Sequence, residues 1–224
     1  MNIWLRYFVF WLGMEPIGDP KEADIVIVQA FGRNSFIDDK LFEVRRIFDE
    51  AGSDLIAIKK LQKMKFADKK TFFDPGISNR ILVHQCGTLV ERYNIPAIVQ
   101  WEIAAAFDPH WYWAYVNKIF CIWPSNKPGE YFSTHDLNKQ AIEIMKQKGF
   151  RRPIVLAHNM HMTRAFLVTE KLLKENFDES SAIVAFKGPD FFDPDSVQWF
   201  TTNKYFWLFR EGLTRIHYLL KGWV

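Results

Sequence analysis

Cysteine is scarce in this 224-residue chain, which has only Cys86 and Cys121. Without CxxC spacing or the density of a disulfide-stapled secreted domain, they make a reducing cytoplasm the simpler home; a single long-range disulfide is the alternative. A strong charge bias is also missing. Lys and Arg outnumber Asp and Glu by 29 to 26, too small a margin to indicate a dedicated nucleic-acid binder. No apolar run reaches the roughly 20 residues of a spanning helix. The nearest, Ile3 to Leu12, is interrupted by Arg6 and lacks the charged leader and small-residue cleavage site of a signal peptide. Residues 1–20 therefore read as an aromatic segment packed on the domain; the alternative is a patch that rests on a membrane surface or covers a pocket. Phosphate-loop and hydrolase signatures are absent too. Gly32 sits in Phe-Gly-Arg-Asn without a full GxGxxG, and neither a Walker lysine motif nor a GxSxG elbow occurs, which disfavours ordinary NTPases and α/β-hydrolases.

What is present is apolar bulk. Hydrophobic residues make up 49% of the chain, with 21 Phe and 9 Trp, enough for one well-filled core and too many for a disordered chain. Residues 21–224 read as a single domain. The surplus aromatics belong to the core, a pocket lining or a contact surface. The basic run Lys59, Lys60, Lys63, Lys65, Lys69 and Lys70 reads as a solvated helix face, with an anionic partner surface as the alternative.

Continuous β-branched runs mark buried strands at Ala23–Ala30, Ala97–Glu102, Lys118–Trp123, Pro153–Ala157 and Ala182–Phe186. Asp54–Ile58 has the length of a further short strand. Between them lie helical patterns at Asp38–Ala51, Asn79–Tyr93 and His135–Lys148, the last with Ser133 or Thr134 as cap and Gly149 as terminator. Ala104–Asn117, with Trp111 and Trp113, reads as a helix or a lid. Further helices begin near Met162 and Asn203. Strand and helix alternation predicts a three-layer, Rossmann-like α/β fold: a mainly parallel sheet of about five strands with helices on both faces. Such sheets bind ligands beyond the carboxyl ends of their strands.

Polar residues collect at those ends. Gln29, Arg33 and Asn34 follow the first strand, Gln100 and Glu102 close the second, Ser125 and Asn126 follow the third, and His158, Asn159, His161 and Arg164 follow the fourth. Arg33, Arg80 and Arg164 are candidate cations for a phosphate or carboxylate, because a guanidinium fork meets two oxygens at once. His161 is the candidate catalytic residue, able to relay a proton or donate to a developing anion. His158 and His161 lack a third ligand for a metal.

Ser133-Thr134-His135-Asp136 and the stretch Arg152 to Ala165, ending His161-Met162-Thr163-Arg164-Ala165, resemble the YdcF/SanA/ElyC-like domain family of unknown function. In that family a threonine at a helix start precedes a strand leading into His-Met-x-Arg-Ala, matched here by Thr134, His161, Met162, Arg164 and Ala165. The Ala23–Val28 strand with Gly32 and the closing segment from Arg210 and Glu211 to Trp223 agree, and Arg80 resembles the arginine usually found after the first strand. Two positions depart. Gln100-Trp101-Glu102 stands where the family has Ser-Gly-Gly, and Asp136-Leu137 where it has Glu-Asn.

The resemblance implies a nucleotide-binding type of α/β fold, an S-adenosylmethionine-like or nucleotide ligand, and a link to bacterial envelope maintenance. The leading expectation is a cytoplasmic protein that binds an anionic or nucleotide-like molecule through Thr134, His161 and Arg164. Gly32, Arg33, Asn34, Arg80, His158 and Asn159 assist, with Asp136 and Glu211 in support. Two competitors stand beside it. One is a phosphoryl- or carboxyl-directed transferase or hydrolase; the other is a protein- or membrane-contact module that uses Trp111, Trp113, Trp199 and Trp207.

Overall fold

Five short apolar segments pair side by side, all parallel, in the order β3-β2-β1-β4-β5. They are β1 (Ile25–Val28), β2 (Ala97–Gln100), β3 (Ile119–Ile122), β4 (Pro153–Leu156) and β5 (Val184–Phe186). The structure is a computed structural model that describes residues 14–32, 41–67, 74–124, 132–177, 183–196 and 198–224. Most of the N-terminal segment, Arg33, Asn34, Ser125, Asn126, Lys69 and Lys70 lie outside them.

The eight described α-helices are α1 (Leu41–Ala51), α2 (Asp54–Ala67), α3 (Gly76–Tyr93), α4 (Trp101–Ala106), α5 (Pro109–Tyr115), α6 (Thr134–Lys148), α7 (Asn159–Asn176) and α8 (Lys204–Leu220). Side chains alternate across the strands, so each sheet face has its own core. Val26, Val28, Val99 and Leu156 pack with Leu61, Leu82 and Leu89 from α2 and α3. Ile25, Ile27 and Ile98 pack with Leu137, Ile142, Val168 and Leu172 from α6 and α7. The fold is therefore the three-layer Rossmann-like arrangement that the alternating pattern predicts. Burial on both faces is why these strands are continuous rather than alternating in hydrophobicity.

The sheet grows outward from β1 to β3 and then returns to the other side of β1 with β4. Strand order thus reverses between β1 and β4, and the connections leaving them diverge to leave a crevice. On the β5 edge, Ile17 pairs antiparallel with Ala185, and Met14 is buried beside Met162 and Phe166, which ties residues 14–17 to the domain. Gly188 must be glycine, because a Cβ there would stand 1.6 Å from the Ala157 carbonyl oxygen at the end of β4.

Several elements differ from the sequence reading. Asp54–Ile58 is not a strand but the start of α2, where Ala57, Ile58 and Leu61 are buried at helical spacing while Lys59, Lys60 and Lys63 are exposed. A five-residue apolar run fits either period, and the lysines after it settle the helix. The second strand ends at Gln100, and Trp101 and Glu102 open α4. Ala104–Asn117 is neither one helix nor a lid. Asp108 accepts from the His110 and Trp111 amides and Pro109 follows at the first helical position, so the chain restarts as α5. Trp111 stacks on Phe107 and Tyr115 and donates to Glu91, away from the crevice. Cys86 and Cys121 are free and buried.

Candidate functional site

The crevice at the β1/β4 reversal is a pocket of about 170 Å³. Gln29 to Gly32 after β1, Gln100 at the end of β2 with Trp101 and Glu102 after it, Ser133 and Thr134 at the α6 start, His161 and Arg164 from α7, and Trp207 and Arg210 from α8 all line it.

Side chains fix its floor. Ala30 N donates to Gln100 Oε1 at 2.6 Å, and Phe31 N donates to Asn79 Oδ1 at 2.7 Å. Asn79 Nδ2 in turn donates to Gly32 O. Two successive backbone amides of this turn, at Ala30 and Phe31, are thus held by amide side chains. Gly32 has φ +68°, and a Cβ there would meet Thr201 Oγ1 at 2.7 Å. The left-handed backbone and the close approach both require glycine.

α7 begins at Asn159, earlier than the sequence pattern placed it, with His158 as its cap. His161 and Arg164 therefore project from the first turns of a helix, three residues apart and on one face, rather than from the strand end. Arg164 Nε lies 3.0 Å from Glu211 Oε1, and its Nη2 lies 2.8 Å from Oε2, a bidentate pair. Its Nη1 donates to Thr134 Oγ1 at 2.7 Å. Arg215 Nε donates to the same Glu211 at 2.8 Å. All three charged groups are buried, with side-chain exposures of 3%, 0% and 4% for Arg164, Glu211 and Arg215. Burial alone would raise the Glu211 carboxyl; the two guanidiniums more than reverse this and lower it below its ordinary 4.5. Arg164 and Arg215 thus share the one Glu211 carboxylate. Arg210 adds its guanidinium at the pocket wall, 3.9 Å above the Phe200 ring.

Hydrogen bonds set the state of His161. Asn138 Nδ2 donates to the Thr134 carbonyl at 2.8 Å, so Asn138 Oδ1 is the acceptor that receives Gln29 Nε2 at 3.2 Å. Gln29 Oε1 then faces His161 Nε2 at 3.1 Å. An amide oxygen only accepts, so Nε2 carries the proton. Burial, followed by the charges of Arg164, His158, Arg215 and Arg210, pushes the imidazole well below its ordinary 6.5, and the ring is neutral at neutral pH. Nδ1 is thereby an unprotonated acceptor, and it has no partner among the described residues. Donation to an anion, one of the two roles expected of His161, does not fit this tautomer; acceptance of a proton or hydrogen bond does.

Of the other candidates, Thr134 and Gly32 belong to the pocket, and Glu211 supports it through Arg164. His158 does not line it. Its Nδ1 accepts from Met160 N and its Nε2 donates to Phe191 O, with the ring stacked on Phe31 at 3.7 Å. Asn159 binds Met14 N and Asp190. Asp136 closes a capping box with Ser133. Arg80 lies outside the pocket on the exposed face of α3, 3.0 Å from Asp74. These four are held by structural partners. Among the described residues no three His, Cys, Asp or Glu side chains converge as metal ligands.

Sequence reasoning did not single out Trp207, Gln198 or Thr201 as pocket residues, and it quoted Arg210 only within the closing helix. The direction in which α8 faces is a tertiary fact, and the adjacent Arg210 and Glu211 were its one visible signal.

Comparison with known proteins returns nothing. No protein-family model, curated protein or solved structure matches the chain. These comparisons give no support to the YdcF/SanA/ElyC-like resemblance; of the residues quoted for it, Thr134, His161 and Arg164 meet in one pocket.

Proposed function

We propose that the pocket binds a compact anionic small molecule, nucleotide-like or phosphorylated, as a diverged YdcF-like binding protein would. The observation that carries this reading is that the guanidiniums of Arg164 and Arg210 both line the pocket at the strand-order reversal, with Arg164 held in place by Glu211 and Thr134. The α6 N-terminus, at Ser133 and Thr134, adds a favourable dipole. Trp101, Phe200 and Trp207 supply apolar walls for a ring.

Glu102 refines the ligand. It is buried on the β2 side of the pocket, two strands from β4, and thus about 10 Å from the arginine side at ordinary strand spacing. A ligand that spans the pocket carries its anionic group toward Arg164 and Arg210 and a hydrogen-bond donor toward Glu102. Gln100, Trp101 and Glu102, which stand at one of the two departures from the YdcF-like pattern, all line this side, which supports a ligand different from one suited to Ser-Gly-Gly. S-adenosylmethionine, with a carboxylate and amine donors, remains in the class to be tested.

The experiment is a thermal-shift screen of the purified chain against phosphate esters, nucleotides, hydroxycarboxylates and S-adenosylmethionine. The reading expects at least one stabilising anion, with the shift reduced in Thr134→Val and Arg210→Gln. A screen with no stabiliser rejects it.

A hydrolase or transferase reading has one observation of its own, the unpartnered Nδ1 acceptor of His161. In that case His161 accepts a proton from an attacking or leaving group while the arginines hold a phosphoryl or carboxyl oxygen. Turnover of phosphate esters or nucleotide sugars that is lost in His161→Ala supports it, and the absence of turnover removes it.

A further inference from the structure

Two aromatic rings of the pocket carry nitrogens that the fold does not pair. Trp207 on α8 is 3% exposed and His161 on α7 is 5% exposed. Both line the pocket, with ring centroids 5.7 Å apart and planes at 85°. Trp207 Nε1 and His161 Nδ1 are buried and have no hydrogen-bond partner among the described residues. A buried polar atom left unpaired is costly, and native chains keep few of them. Two that meet in one pocket point to a ligand group that completes both.

Their polarity selects that group. An indole N–H only donates. The chain of bonds from the Thr134 carbonyl through Asn138 and Gln29 puts the His161 proton on Nε2, so Nδ1 only accepts. A phosphate dianion or a carboxylate offers acceptors alone and would set a lone pair against Nδ1. An ammonium offers donors alone and would set its N–H against that of Trp207. A hydroxyl does both, because its oxygen accepts from Nε1 while its hydrogen goes to Nδ1. Two hydrogen bonds of about 2.9 Å together span up to roughly 6 Å, the scale of the separation between the rings, so a single hydroxyl oxygen suffices.

The same one-turn step leads from these nitrogens to the cations. His161 and Arg164 are three residues apart on α7, as Trp207 and Arg210 are on α8, and side chains so spaced are neighbours about 5–6 Å apart at Cβ. The Arg164–Glu211 ion pair joins the two helices one turn beyond the His161–Trp207 contact. The pocket thus has a neutral layer beside a cationic one. Phosphate, with three terminal oxygens, meets guanidiniums from two helices at once. We propose that the ligand is a hydroxylated phosphate monoester of sugar or polyol type, its phosphate at Arg164 and Arg210 and a hydroxyl bridging Trp207 Nε1 and His161 Nδ1. This rests on the anion-binding reading and narrows it to anions with a hydroxyl near the charged group. A pocket of about 170 Å³, below the roughly 300–1,000 Å³ of drug-sized sites, suits so small a molecule.

The test is calorimetric titration of the full chain with inorganic phosphate, propyl phosphate, glycerol phosphate and ribose phosphate. The proposal expects glycerol phosphate or ribose phosphate to bind at least about tenfold tighter than propyl phosphate, the scale of one to two net hydrogen bonds. Trp207→Phe keeps a ring and removes the N–H. It is expected to weaken the hydroxylated ester about five- to tenfold and to leave propyl phosphate within about twofold. The comparison of ligands is made on wild type, so it decides the matter even where Trp207→Phe fails to fold, which its melting temperature reports. Propyl phosphate binding as tightly as both hydroxylated esters overturns the proposal and leaves the anion-binding reading standing, since the arginines then act alone. An equal loss for propyl phosphate in Trp207→Phe also overturns it, because the indole then serves packing and not a hydroxyl. Binding of none of the four overturns both.

Discussion

Arg164 and Glu211 form a two-pronged ion pair in the interior, 2.8 Å apart at its shortest contact, and Arg164 extends its remaining nitrogen to Thr134 at the pocket. One guanidinium thereby joins three helices, α6, α7 and α8, to the site. Its charge is fixed in place before any ligand arrives, which lowers the reorganisation that binding would otherwise require.

Glu211→Gln removes the buried carboxylate that Arg164 and Arg215 share. The expected loss is about 3–5 kcal/mol, the range for removing one partner of a buried pair. Denaturant titration measures it as a lowered midpoint at similar slope. A loss below about 1 kcal/mol contradicts the buried triad.

Acid sensitivity follows from the two buried histidines. Burial lowers His158 to about 4, and His161 is lowered as well. Between the unfolded value near 6.5 and the folded values, the unfolded chain binds more protons than the native one. Stability therefore rises with pH across this window, is complete above about 6.5 and is lost on descent toward 4. His158 alone contributes on the order of 3 kcal/mol. Glu211 acts in the same sense, because its lowered carboxyl loses its contribution as pH falls through the folded value. Urea melts at pH 5 and pH 7.5 compare the two states; equal stability contradicts the burial of neutral imidazoles.

The His161 tautomer is directly observable. Nitrogen-15 spectra of the imidazole are expected to show a protonated Nε2 and a bare Nδ1 from pH 6 to 8. Asn138→Ala removes the bond that orients Gln29 and yields a mixture of tautomers with the fold intact. A protonated Nδ1 in wild type contradicts the hydrogen-bond chain from the Thr134 carbonyl.

Gly188→Ala tests the packing of the β5 exit on β4. Its Cβ would overlap backbone rather than a movable side chain, so the expected cost is about 3 kcal/mol, at the upper end of overpacking. Gly52→Ala meets no atom within 4 Å and costs less, the residue being strained only by its φ of +67°. Thermal melts of the two variants rank them.

The strands were legible because burial on both faces writes itself as unbroken Ile, Val and Leu, as in Ile25–Val28 and Pro153–Leu156. Helix α6 was legible through Ser133 and Gly149 at its ends. Asp54–Ile58 was not, since five apolar-leaning residues carry no period of their own. At the site, Gln29, Gln100 and His161 followed from the rule that polar residues after parallel strands converge. The links from Thr134 to Arg164 and from Arg164 to Glu211 join residues 30 and 47 apart in sequence, and they were visible only as matches to a motif. The pocket wall from α8 depended on which face that helix buries, and its apolar residues are too evenly divided between the two faces for the sequence to decide it.

The central claim is that Arg164 and Arg210 hold an anionic group in the pocket, and calorimetric titration tests it most directly. The strongest stabiliser from the thermal-shift screen is titrated into wild type, Arg210→Gln and Arg164→Lys, with inorganic phosphate as competitor. The account predicts saturable binding of one ligand per chain, weakened about 10- to 100-fold by each substitution, as loss of a charge-assisted hydrogen bond implies. Unchanged affinity in both variants would contradict it.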